Sequence, residues 1–214
     1  VGTTDGVGLF RNTANIFNND GSSYDCTRIL VPRNDGTGQA DYLLSGESIL
    51  SIAVDGANNL WFGTTNGVFY ISNNGLTEYL HFTTENSPLL SNTVKDIAID
   101  SNGNVYFATD NGIISYRNTA TEGGITNSDV VVFPNPVRSD FTGYVGIKGL
   151  VSDALVKITA VDGRFVTHLK AQGGQAVWDC TNINGEKVQP GIYLIFSTDT
   201  TGKETYATKV LIMK

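Results

Sequence analysis

The groups in this 214-residue sequence that could do chemistry are few: two cysteines, two histidines and scattered carboxylates. Cys26 and Cys180 fall in different proposed domains, so free thiols are expected rather than a bridge. His81 and His168 stand one per domain. There is no His-Glu-x-x-His, no Cys-x-x-Cys and no converging His cluster, so no zinc site is expected. A Gly-x-Ser-x-Gly elbow and a phosphate loop are also missing. Asp100-Ser-Asn102-Gly-Asn104 resembles the start of a calcium loop. It lacks the glycine and glutamate that complete one, and its copy at Asp55 changes the ligands, so a solvated hairpin turn is expected. The carboxylates form no evident catalytic pair. The sequence therefore reads as a non-enzymatic protein without cofactor or metal. Trp61, Phe62, Tyr106 and Phe107 could line a ligand groove, but they recur at a 45-residue step, as blade-to-blade packing would require. Trp178 is read as core and His81 as structural.

The elements that position these groups are strands. Gly (24 residues) and abundant Asn supply turns, and 10 Phe and 9 Tyr suit strands, so the composition is all-β. No apolar run is long enough for a membrane helix, and no signal peptide is visible. A net charge of -7 argues against a nucleic-acid partner. Residues 1–120 hold 5 Lys and Arg against 12 Asp and Glu, whereas residues 121–214 hold 9 of each. The shift, with the polar stretch Asn118–Asp129, predicts two domains, 1–120 and 130–214, joined by a linker over 121–129.

The first part repeats. Val1-Gly-Thr-Thr-Asp-Gly-Val7, Phe62-Gly-Thr-Thr-Asn-Gly-Val68 and Phe107-Ala-Thr-Asp-Asn-Gly-Ile113 align without gaps. Ser51-Ile-Ala-Val-Asp55 precedes the second copy as Asp96-Ile-Ala-Ile-Asp100 precedes the third. Asn66-Gly67 and Asn111-Gly112 are strong hairpin signals, because both residues tolerate positive φ. The unit is a four-stranded meander, its fourth strand at Leu76–Phe82 in the second copy: a β-propeller blade. The longer step to the first copy requires an insertion of roughly 15 residues beyond the ordinary period, placed within Asn12–Ser45. Three blades at most fit in this part, fewer than the roughly four to eight of a closed propeller. Val1 also falls inside a strand. The chain is thus expected to be the C-terminal piece of a longer polypeptide, with the remaining propeller as its partner, and to carry about 2.5 to 3 blades.

These blades resemble the two-component regulator propeller family. The residues that carry the resemblance are Asn86-Ser-Pro-Leu-Leu90, Ser91-Asn-Thr-Val94, Asp96–Asp100, Asn102-Gly-Asn104 and Tyr106–Ile113. In that family the position of Trp61 and Tyr106 is usually aromatic and packs between blades.

Residues 130–214 predict a small Ig-like β-sandwich. The strands are 130–133, 141–147, 155–160, 165–170, 175–179, 191–197 and 205–212. Turns are read at Asp162-Gly163, Gly173-Gly174, Asn184-Gly185 and Thr201-Gly202. Five elements in order resemble the C-terminal sorting domain of type IX secretion. They are Phe133-Pro134-Asn135-Pro136-Val137, Asp162-Gly163-Arg164, Trp178-Asp179, Pro190-Gly191-Ile192-Tyr193, and a final strand with Lys209 and Lys214. Cys180 departs from the pattern, where glycine is commoner after Trp-Asp. An Ig-like domain of the flagellar-hook-cap type shares several of these cues.

The combination resembles the PorZ-type family of the type IX attachment complex. That resemblance implies export to the cell surface and outer membrane of a Gram-negative bacterium. It implies binding of anionic lipopolysaccharide and its presentation to a sortase-like partner that processes cargo. No ligand-binding residue of that family can be placed by motif. Two other readings are a secreted cargo protein whose terminal domain is only an export signal, and the sensor of a hybrid histidine kinase. The kinase reading would need a membrane span and kinase after the blades.

Overall fold

Three threonine–glycine brackets set the local structure of the first half. Thr3, Thr64 and Thr109 each donate a side-chain hydrogen bond to the carbonyl three residues on, at Gly6 (2.9 Å), Gly67 (3.0 Å) and Gly112 (2.8 Å). The same hydroxyls accept from the backbone N–H of Asp5, Asn66 and Asn111. Gly67 and Gly112 have φ of 114° and 128°, which L side chains rarely adopt. A Cβ on Gly67 would also lie 2.1 Å from the carbonyl oxygen of Phe82. The repeat read in the sequence is thus a repeat of hydrogen-bond geometry.

The computed structural model describes residues 1–11, 26–127 and 129–214. It divides into two units. The first holds Val1–Val54, Asn58–Asp100 and Asn104–Arg117; the second holds Asp55–Ala57, Ser101–Gly103 and Asn118–Lys214. Every regular element among the described residues is a strand.

In the first unit, β1 (Gly2–Thr3), β2 (Gly6–Leu9) and β3 (Thr27–Arg28) form one sheet, and β4 (Leu30–Pro32) with β5 (Ala40–Tyr42) a hairpin. Then β6 (Ile49–Val54), β7 (Leu60–Thr64), β8 (Gly67–Ile71) and β9 (Glu78–Phe82) form a four-stranded antiparallel meander. A three-stranded one follows, of β10 (Val94–Ile99), β11 (Asn104–Thr109) and β12 (Gly112–Arg117). These sheets are the C-terminal blades of a β-propeller, incomplete in this chain. The expected insertion includes the β4–β5 hairpin, clamped by Arg33 on Asp41 (2.6 Å). Its other part, residues 12–25, lies outside the described residues.

The central strands β7 and β8 are buried on both faces, and period-two alternation divides their side chains. Trp61, Val68 and Tyr70 pack with Leu89, Val94, Ile97, Val105 and Phe107 toward β10–β12. Phe62, Phe69 and Ile71 pack the other way, with Val7 and Leu43. Trp61 is fully buried, stacks on Tyr70 at 4.2 Å and lies 5.6 Å from Phe107. His81 stacks on Phe69 (3.9 Å), and a ring nitrogen reaches the Asn66 carbonyl. Tyr106 corrects the expectation of core packing, being 39 % exposed. It occupies the repeat position of Trp61, but it faces away from β6–β9, where no further blade of the first unit follows among the described residues. The sheet β10–β12 also lacks a fourth strand like β9 among the described residues.

In the second unit, β13 (Val131–Phe133), β14 (Val145–Lys148) and β17 (Gln175–Trp178) form one sheet. The other is ordered β16 (Phe165–Lys170), β15 (Leu155–Ala160), β18 (Gly191–Thr198), β19 (Glu204–Ile212). Seven strands enclose one core around Val145, Ile147, Ile158, Trp178 and Ile195. Residues 141–144, read as strand, are not: the Phe141 N–H donates to the Arg138 carbonyl (3.1 Å), so the chain is still turning. Gly173-Gly174 is a two-residue turn, as expected: the Gln172 and Gln175 backbones exchange both hydrogen bonds across it (2.7 and 3.4 Å), and it leads from β16 in one sheet to β17 in the other. The stretch read as a linker belongs to this unit. Gly124 donates to Leu150, and Asn127 accepts from the Val151 N–H.

Replacing Trp61 by Ala is expected to cost about 3–5 kcal/mol, the usual range for deleting a large buried aromatic. Tyr106→Ala should cost less than about 1 kcal/mol, as an exposed position does. Denaturant unfolding of both variants checks the contrast.

Candidate functional site

The residues singled out by the sorting pattern all lie in the second unit, and they divide into those that build it and those that face solvent. Trp178 is buried at the centre of the core, where its indole N–H donates to the Thr181 carbonyl (2.8 Å). The ring of Tyr193 meets it edge-on at 5.5 Å. The Tyr193 hydroxyl donates to the Gln189 carbonyl (2.6 Å), and burial pushes this phenol above its ordinary pKa. That bond fixes the loop leading into Gly191-Ile192. Ile192 itself points outward and is exposed.

Asp179 works locally. It accepts from the Thr181 hydroxyl (2.7 Å) and N–H (3.0 Å), and the hydroxyl bond above all holds this carboxyl below the usual carboxylate range. Lys187 Nζ donates to the Asp179 carbonyl (2.7 Å). Cys180 follows with φ of 61°, in the left-handed region. The pattern's preference for glycine here thus has a backbone cause. Burial raises the pKa of the Cys180 thiol. Cys180 is buried and Cys26 exposed, and both are free, as expected.

Asp162-Gly163-Arg164 is the tight turn between β15 and β16. Asp162 accepts from the Arg164 N–H (3.0 Å), and Gly163 has φ of 86°. All three side-chain positions are exposed.

Pro134-Asn135-Pro136 does something the sequence does not announce. Asn135 reaches the last strand: its Nδ2 donates to the Lys209 carbonyl (3.0 Å), and its Oδ1 accepts from the Leu211 N–H (3.1 Å). Val137 continues this pairing, accepting from Met213 and donating to Leu211, each at 2.8 Å. A side-chain amide thus stands in for one residue of a strand along the outer edge of β19. Lys209 and Lys214 are exposed.

Elsewhere, Asp100 bonds back to Asn104 through both backbone and side chain, sealing its own hairpin. No group of three or more potential metal ligands occurs among the described residues. A cleft of about 760 Å³ in the first unit has a mostly apolar lining that includes Val7, Leu9, Leu30, Ile52 and Phe62. Sequence reasoning did not single it out.

This geometry agrees with what comparison finds. Residues 131–213 match the family described as "Secretion system C-terminal sorting domain", and residues 43–66 and 88–111 match "Two component regulator propeller". The chain is therefore a set of regulator-type propeller blades followed by a secretion-system sorting domain.

Over its whole length the chain is similar in structure to PorZ. A structure of PorZ from Porphyromonas gingivalis, described as an essential bacterial surface component of its type IX secretion system, is 26% identical with a TM-score of 0.64. The match covers 100% of this chain and 28% of PorZ, so this chain spans little more than a quarter of that protein's length. Dimeric latent PorU of the same organism matches over 51% of this chain and 12% of its own, at 25% identity and a TM-score of 0.32. The extracellular domain of a putative hybrid two-component system from B. thetaiotaomicron matches over 100% of this chain and 30% of its own, at 12% identity and a TM-score of 0.37. No curated protein matches in sequence.

Two outcomes are expected here. Asn135→Ala should speed hydrogen exchange at the Leu211 amide by roughly tenfold or more, in line with about 1–3 kcal/mol for an orphaned partner. Cys180→Gly should unfold within about 1 kcal/mol of the parent, because relief of a left-handed residue offsets the lost thiol packing. Cys180→Val should cost more than Cys180→Gly, since a β-branched residue suits that φ least. Thermal unfolding ranks the pair.

Proposed function

We propose that this chain is part of a non-enzymatic surface component of the type IX secretion machinery, which binds anionic lipopolysaccharide and presents it to a sortase-like partner that processes cargo. One observation carries the reading: similarity to PorZ runs through both units without a break in coverage. The terminal sandwich then acts as the export address, and the propeller as a rigid platform. Its site of action is the outer face of the outer membrane.

Deleting the gene that encodes this chain tests the role. Cargo is expected to accumulate with its sorting domains uncleaved. Cargo that still reached the surface, processed and glycolipid-anchored, would overturn it.

The sorting domain also supports a second reading, a propeller cargo whose C-terminal domain is only a signal. Immunoblots of surface fractions separate the two. A mature form ending near Asn127 supports cargo, and a form keeping residues 130–214 supports the machinery component.

A further inference from the structure

An antiparallel sheet in a sandwich buries one face and gives the other to water, so its outward residues are ordinarily polar. The outward face of β16-β15-β18-β19 departs from that rule. Strand register assigns its occupants, because directly paired residues share a face. His168 pairs with Lys157, Lys157 with Phe196, and Phe196 with Tyr206, making one row across all four strands. Phe165, Thr159, Leu194 and Lys209 make the next row, and Ile192 with Leu211 extends it along β18 and β19. On the other side Lys170 pairs with Leu155.

Leu155, Phe165, Ile192, Tyr206 and Leu211 on this face are between 38% and 58% exposed. Leu194 and Phe196 between them are half-buried. A continuous apolar strip in water marks an interaction surface. Its charge is also one-sided. Lys157, Lys170 and Lys209 stand against a single carboxylate, Glu204, on a chain of net charge -7. Glu204 is taken by Lys157 (2.5 Å), whose Nζ also lies 5.4 Å from the centre of the Phe196 ring. Among the described residues, Lys170 and Lys209 have no ion-pair partner. They occupy opposite edge strands, about 14 Å apart across the sheet and four residues or about 13 Å apart along it, hence roughly 20 Å apart at opposite corners of the face.

We propose that this face is a docking surface for an anionic glycolipid. Lys170 and Lys209 meet negative groups at its two sides, and Phe196, Tyr206 and Leu194 pack against its sugar or acyl C–H surface between them. Charge complementarity selects an anion, and the apolar centre selects an amphiphile over a purely acidic chain. The inference rests on the lipopolysaccharide reading above and gives that ligand a place.

The test is binding of the full chain to micelles of purified anionic lipopolysaccharide, with phosphatidylcholine vesicles and polyglutamate as comparison probes. The double variant K170E/K209E and the single variant Tyr206→Ser alter the face. Lys148→Glu, on the other sheet, controls for net charge. Circular dichroism melts confirm that each variant is folded. The parent should bind lipopolysaccharide, with affinity falling as salt rises. The double variant should lose about tenfold or more, Tyr206→Ser a smaller factor, and Lys148→Glu less than about twofold. Unchanged binding by the folded face variants overturns the docking surface and leaves the lipopolysaccharide reading standing. Failure of the parent to bind overturns both. Equal binding to polyglutamate with the same residue dependence overturns the glycolipid as occupant.

Discussion

The first unit depends on one constraint: the central strands β7 and β8 have no side to spare for water. Consecutive residues of β7 and β8 must therefore satisfy two different neighbours, Trp61 and Tyr70 on one face, Phe62 and Phe69 on the other. A strand buried on both faces reads as an unbroken hydrophobic run, and β8, Gly-Val-Phe-Tyr-Ile, is buried throughout. The hairpin brackets follow from this. A slip of one residue would exchange the two faces, so each turn must fix its register with a positive-φ glycine and a threonine clamp. Where no neighbouring blade follows among the described residues, the same alternation leaves Tyr106 partly exposed.

The second unit obeys a different rule. Its two sheets share one core and each keeps a free face, so its motif residues split cleanly. Trp178 and Tyr193 serve the interior, Asp179 and Asp162 fasten turns, and Arg164, Lys209 and Lys214 are left to the surface. A secretion address must be readable from outside yet survive as a folded object. This division of labour meets both demands within some 80 residues. Glycine is preferred at the position of Cys180 for a reason of backbone angle rather than recognition.

Much of this was legible in the sequence because the informative signals are local. Asn66-Gly67 and Asn111-Gly112 mark hairpins through φ alone, and the 45-residue step placed β6–β8 and β10–β12 in correspondence. The all-β class and the seven strands of the sandwich came from alternation and turn spacing. What was not legible is long-range. The partners of Asn135 lie 74 and 76 residues away, and no spacing rule connects them. The exposure of Tyr106 depends on whether a further sheet stands beside it, which a repeat period does not encode. Phe141 and Tyr144 have strand-like types, but the turn at Arg138 delays the strand. The amphipathic face of β15, β18 and β19 shows only once register lines up Lys157, Phe196 and Tyr206 in a row.

The amide of Asn135 has a further consequence for crowded conditions. A bare strand at the border of a sheet is a template on which other molecules can stack into aggregates. Here the border strand β19 has its amide and carbonyl groups around Lys209–Leu211 already engaged, by the Asn135 side chain and the Val137 backbone rather than a whole extra strand. Crowded copies can thus bring these borders close together without zipping into fibres along this stretch, and the safeguard takes only Asn135 and Val137.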